Sequence, residues 1–168
     1  MKILFISLGC DKNLADSEEM LGLLTGNGHE IVDSEEEADA IVINTCCFIH
    51  DAKEESVNTI LEMAEYKKNG TCKILIVTGC MAQRYKEEIT EEIPEVDAVL
   101  GTTSYGDIVK ALNEAEAGHV FQEFKDINAL PEDSGRRVIT TGGHFGYLKI
   151  AEGCDKQLYL LYHSFAER

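Results

Sequence analysis

Positive charge is what this sequence has least of. Its 15 Lys and Arg stand against 31 Asp and Glu, a net charge of −16. Contacts to phosphate depend on Lys and Arg, so direct binding to nucleic acid is not expected. A surface this acidic suits a basic protein partner, or serves solubility alone. Long apolar runs are also missing, since a membrane helix needs roughly 18 consecutive apolar residues and the longest runs fall far short. Met1-Lys2-Ile3 leads straight into a strand pattern with no small-residue cleavage site behind it. These absences argue against a membrane protein or a secreted one and make the cytoplasm the expected location. No internal repeat and no low-complexity tract is present.

What is there is a recurring phrase. Ile41–Cys47 reads Ile-Val-Ile-Asn-Thr-Cys-Cys, an apolar run that ends in two polar residues and a thiol. Ile3–Cys10 and Ile74–Cys80 follow the same grammar. Cys10, Cys46 and Cys80 are each roughly 35 residues apart, about one strand-plus-helix unit, so one edge of a parallel sheet can gather all three. Six cysteines in a chain of 168 residues with no secretory signal point to metal or redox chemistry before a disulfide framework. The plainer reading is that some are small buried hydrophobes, as free cysteine often is.

The patterning predicts strands over 2–8, 30–32, 39–44, 73–78 and 96–100, and a further one over 119–124. Helices are predicted over 13–25, 52–68, 82–93 and 107–117, with a turn of helix over 34–38. In the first helix Leu14, Met20, Leu21 and Leu24 form the apolar face, opposite an acidic cluster of Asp16, Glu18 and Glu19. In the second, Ala52, Val57, Ile60, Leu61 and Ala64 form the stripe. Strands alternating with helices imply a doubly wound α/β fold with a parallel sheet. The rhythm breaks after Gly118, and 130–135 reads as linker. Residues 145–151 read as the first strand of something new.

Ligands of open α/β sheets sit beyond the carboxyl ends of the strands, where Cys10, Cys46 and Cys80 are expected. Three thiolates without nearby Asp or His at ligand spacing favour a soft metal, either zinc or an iron–sulfur cluster. A closed zinc site wants a fourth protein ligand, whereas a four-iron cluster on three cysteines keeps one iron open. Cys47 is read as non-ligating, because Cys46 already holds the matching position. Cys72 is read as inert, and the five His residues have no ligand spacing to a cysteine.

Three stretches carry a family resemblance. Ser7-Leu8-Gly9-Cys10-Asp11-Lys12-Asn13 with Asp16-Ser17-Glu18 resembles the opening signature of the radical S-adenosylmethionine methylthiotransferases. Asn44-Thr45-Cys46-Cys47-Phe48-Ile49 with Ala52-Lys53-Glu54-Glu55-Ser56, and Thr78-Gly79-Cys80-Met81-Ala82-Gln83-Arg84, are similar to the second and third. The match runs to about residue 156. The forms after Cys10 and Cys46 resemble the branch that methylthiolates an aspartate of a ribosomal protein, rather than the tRNA-modifying branch. The resemblance implies that Cys10, Cys46 and Cys80 hold an auxiliary 4Fe-4S cluster in a flavodoxin-like domain. It also implies a basic ribosomal protein as substrate and a flavodoxin or ferredoxin-type electron donor. Two rivals stand beside this: the tRNA-modifying branch of the same family and, from another class, a non-catalytic flavodoxin-like binding module with incidental cysteines.

Residues 147–156 resemble the lead-in to a second, radical-generating cluster, with Cys154 as its first ligand. The family pattern then calls for cysteines at 158 and 161, where this chain has Leu158 and Leu161. Cys154 alone cannot hold that cluster, and S-adenosylmethionine binds only where it is held, in an intact relative. The implied division is an auxiliary-cluster domain over 1–118, a linker over 119–143, and over 144–168 the start of an incomplete radical-enzyme barrel. Codons exist for Leu158–Ser164 that, read one base later, give Cys-Thr-Tyr-Cys-Ile-Ile-Pro, the continuation the motif requires. The tail from about 157 is therefore read as out of frame, in preference to a natural amphipathic terminus carrying Leu158, Leu160, Leu161 and Phe165. Sequencing the gene through codon 168 checks this, and a frame with no one-base shift to Cys-x-x-Cys defeats it.

Overall fold

A computed structural model describes residues 1–127 and 135–150. Cys154, Leu158, Leu161 and the tail read as out of frame lie outside these residues. The elements run β1 (Lys2–Ser7), α1 (Asp11–Gly26), β2 (Glu30–Val32), β3 (Ala40–Thr45), α2 (His50–Asn69), β4 (Ile74–Gly79), α3 (Cys80–Arg84), α4 (Lys86–Glu92), β5 (Ala98–Leu100), α5 (Ile108–Glu116) and β6 (Phe121–Glu123). The six strands form one parallel sheet in the order β2-β1-β3-β4-β5-β6. This is the α/β doubly wound, flavodoxin-like sheet expected from the alternation of strands and helices.

Alternation along the central strands divides the core in two. Successive side chains of a strand point to opposite faces. Ile41 and Ile43 of β3, with Leu75 and Val77 of β4, face Ile60, Met63 and Ala64 of α2 and Met81, Ala82 and Ile89 of α3 and α4. Ala40, Val42, Ile74 and Ile76 face Met20 and Leu24 of α1 and Ile108, Ala111, Leu112 and Ala115 of α5. Both central strands are buried along their whole length. That double burial is why they read as continuous apolar runs rather than alternating ones.

Several sequence expectations are corrected in detail. The helix read over 82–93 is two helices with a break at Tyr85. The break lets Met81 and Ala82 of α3 and Ile89 of α4 reach one core. The strand read over 96–100 begins at Ala98, and the one over 119–124 spans only Phe121–Glu123. The turn over 34–38 is a 3-10 turn at Glu35–Glu37. Leu61, placed in the α2 stripe, is 48% exposed, while Met63 is buried.

The largest correction concerns α1. Asp16 and Glu18 do not face solvent: both are buried, and Glu18 is fully so. Residues 137–149 cover them. Residues 145–150, read as a strand, form none in the structure. A strand needs a ladder partner for its backbone, and this segment instead continues a strap that lies against α1. The strap comes so close that a Cβ on Gly22 would stand 2.5 Å from the Arg136 carbonyl oxygen, so glycine is required there.

Candidate metal centre at the carboxyl edge

From β1 the chain turns outward to β2, then returns to place β3 on the other side of β1. The switch point of the sheet is therefore between β1 and β3, where open α/β sheets bind their ligands. In register, Ser7 pairs with Asn44 and Asn44 with Thr78, so three strands end level. Thr45 then pairs with Gly79, and Cys46 and Cys80 are the next residues along each strand. Cys10 follows β1 and is the N-cap of α1. Gly9 brings the β1 end against β3: a Cβ built on it would lie 3.1 Å from Cys46 Cβ and 3.4 Å from its Sγ. The three thiols predicted to share an edge do share it.

One side chain ties these ends together. Asn13, in the first turn of α1 and buried, donates through Nδ2 to the Leu8 carbonyl at 3.4 Å and the Thr45 carbonyl at 3.0 Å. Its Oδ1 accepts from Cys80 Sγ at 3.6 Å. Asn44 Nδ2 donates to the Asn13 carbonyl at 3.0 Å and to Ser17 Oγ at 2.9 Å. Ser17 Oγ in turn meets Ser7 Oγ at 2.8 Å. Cys46 is pinned from α2: its N–H donates to Ser56 Oγ at 3.0 Å, and that hydroxyl donates to the Cys46 carbonyl at 2.9 Å. Buried polar groups are stable only when partnered in this way. Sequence reading gave none of Asn13, Asn44, Ser17 or Ser56 a role. The available signal was polar residues in positions that face the core, Ser56 standing one turn before Ile60.

Gly79 sets the turn that delivers Cys80. Its φ of 94° and ψ of −161° lie in a region that side chains other than glycine avoid. A Cβ there would stand 2.5 Å from the Thr45 carbonyl oxygen and 2.9 Å from its nitrogen.

The remaining cysteines have other settings. Cys47 packs in the core on the α2 side, where burial pushes its thiol up against the opposing pull of Arg84 and Lys53. Burial likewise raises Cys72, whose Sγ donates to the Ile74 carbonyl at 3.3 Å. A surface cleft lined by Met1, Asp39, Lys73 and Ala115 lies at the opposite, amino edge of the sheet and has no thiol.

Among the described residues no three of His, Cys, Asp and Glu stand in a ready-made metal-holding arrangement. Cys10 is exposed, Cys80 half-buried and Cys46 buried. The donor set nevertheless fits an iron–sulfur cluster in kind. It offers soft thiols from three adjacent strand ends, with the backbone behind each one fixed by hydrogen bonds.

Fold and site together define a doubly wound α/β domain that carries thiols at its switch point. The family model described as uncharacterized protein family UPF0004 matches residues 2–101, and the chain belongs to that family. It is 65% identical over 156 residues to the ribosomal protein uS12 methylthiotransferase RimO of Lachnoclostridium phytofermentans, covering 93% of this chain and 36% of that protein. Proteins of the same name from Clostridioides difficile and Symbiobacterium thermophilum are each 49% identical over 155 residues. Those matches cover 92% of this chain and 35% and 32% of the respective proteins. The chain thus spans about a third of the length of these curated relatives. Their names agree with the branch that the motifs around Cys10 and Cys46 resemble.

Proposed function

We propose that this chain forms the auxiliary-cluster part of a methylthiotransferase that modifies an aspartate of ribosomal protein uS12. The observation that carries the reading is the convergence of Cys10, Cys46 and Cys80 on level strand ends at the switch point. The names of the relatives supply the substrate. Cys10, Cys46 and Cys80 would hold a 4Fe-4S cluster. Bound there, such a cluster supplies an open iron at which sulfur is handled for transfer. The chain's own contribution is to aim the three thiols: Ser56 holds Cys46, Gly79 turns Cys80 inward, and Asn13 joins the three ends. The net charge of −16 favours a basic protein substrate over nucleic acid and fits an enzyme of the cytoplasm. No helix of the described residues is long and apolar enough to cross a membrane.

The division into 1–118, 119–143 and 144–168 belongs to this proposal, as does Cys154 as first ligand of a second cluster. With Leu158 and Leu161 in the motif, the chain by itself holds one cluster and is inactive. S-adenosylmethionine and a flavodoxin or ferredoxin-type donor then act only in an intact relative.

Anaerobic treatment with iron and sulfide is the test. The purified chain should take up about four irons and turn brown. The Cys10→Ala, Cys46→Ala, Cys80→Ala triple variant should stay colourless, and neither should form deoxyadenosine from S-adenosylmethionine. A second reading, a non-catalytic flavodoxin-like module, draws on the absence of a ready-made metal arrangement among the described residues. It gains if the wild-type chain stays colourless, or if the triple variant keeps the wild-type iron content.

A further inference from the structure

The strap on α1 is held by polar contacts. Glu18 is fully buried, and its carboxylate accepts four hydrogen bonds, all from the strap. Oε2 takes Arg137 Nε at 2.8 Å and Nη2 at 2.5 Å. Oε1 takes the Thr140 N–H at 2.6 Å and its hydroxyl at 2.8 Å. The Glu18 carbonyl accepts the Val138 N–H at 3.0 Å. Burial alone would push this carboxyl up, but Thr140 and Arg137 outweigh it and hold it below the usual carboxylate range.

The contacts have a direction. Arg136 Nη1 reaches the Gly26 carbonyl at the far end of α1. Arg137 and Thr140 sit on Glu18, and Lys149 Nζ meets Asp16 Oδ1 at 2.5 Å. The Asp11 carboxylate, next to Cys10, stands close enough to push the Tyr147 hydroxyl up. From Arg136 to Tyr147 the strap therefore runs antiparallel to α1, over about 20 Å of helix, towards the thiol edge, and Lys149 then reaches back to Asp16.

Apolar burial does little to hold it. Ile139, Phe145, Leu148 and Ile150 are 51%, 55%, 81% and 88% exposed. We propose that Glu18 is the latch that docks residues 136–149 on α1 as a fixed strap, and so delivers Tyr147 to the thiol end of the helix, beside Cys10. Glu18 is thus a positioning residue. The proposal does not depend on what the thiols bind.

The test uses the full chain with Glu18→Gln and, because α1 is a core helix, Arg137→Gln as a variant confined to the strap. Limited trypsin digestion should cleave after Arg136 and Lys149 about tenfold faster in both variants. Exchange of the Val138 and Thr140 amides should quicken by a similar factor, while amides of β3 and β4 stay protected. Arg137→Lys, which keeps the charge but not the two-pronged contact, should fall between. Unchanged cleavage and exchange in both Gln variants overturns the latch. Faster cleavage at Arg136 with Lys149 unaffected overturns delivery to the thiol edge. Iron uptake in the same variants is a separate reading, so a colourless wild-type chain defeats the cluster proposal and leaves the latch standing.

Discussion

Gly79→Ala should destabilise the protein by about 3 kcal/mol or more, a drop in melting temperature of roughly 10 °C. Two effects add. The backbone of Gly79 lies where only glycine is comfortable, which costs a substituted residue about 1–3 kcal/mol. The new Cβ would also press on the Thr45 backbone 2.5 Å away, in a pair of strands that is buried throughout and cannot give way. A methyl group at an exposed loop glycine would meet the first cost without the second. Relief here requires β4 to pull back from β3, and Cys80 moves with it, so iron uptake should fall along with stability. Thermal melting and iron analysis check this. A melting point within about 2 °C of the wild type would mean that the turn relaxes and that the strand ends are less rigid than their contacts imply.

Asn13→Ala should cost about 2–4 kcal/mol and lower cluster loading more than it lowers stability. The amide group serves three strand ends at once, donating to Leu8 and Thr45 and accepting from Cys80. An unmade hydrogen bond in a buried place costs about 1–3 kcal/mol, and alanine leaves two carbonyls without this donor. Cys10 begins the same helix three residues earlier, so loss of the Asn13 ties also loosens the N-cap that carries that thiol. Asn13→Asp should be worse, because a carboxylate there would face the two carbonyls with no N–H to offer. Urea unfolding gives the stability and anaerobic reconstitution the iron. Full loading of the Ala variant would remove Asn13 from the site and leave it a core residue only.

Much of the fold was legible because parallel sheets write themselves plainly in sequence. Ile41–Ile43 and Ile74–Val77 are buried on both faces, so they read as unbroken apolar runs with thiols just past their ends. The intervening helices show their length and their stops at Gly26 and Gly70. The acidic side of α1 was misread for an equally physical reason. A run such as Asp16-Ser17-Glu18-Glu19 looks solvated from any local window, and its partners Arg137, Thr140 and Lys149 are more than a hundred residues away. The same holds for Asn13 and Ser56, whose polar atoms are explained only by carbonyls and amides on other strands.

By itself the sequence determined the alternation of strands and helices, the parallel sheet, the family and the three thiols that the sheet's carboxyl edge collects. The sheet and the thiol positions follow from periodicity and from residue types at short range, and the family from the resemblance of the motifs around Cys10, Cys46 and Cys80. Only the tertiary structure decided what fixes those thiols, which glycine the turn at Cys80 demands, and that residues 136–149 lie along α1. Each of those depends on buried hydrogen bonds between distant segments. A carboxylate such as Glu18 can stay charged in the interior only when the fold brings it a guanidinium and an amide, and nothing within its own helix announces that it will.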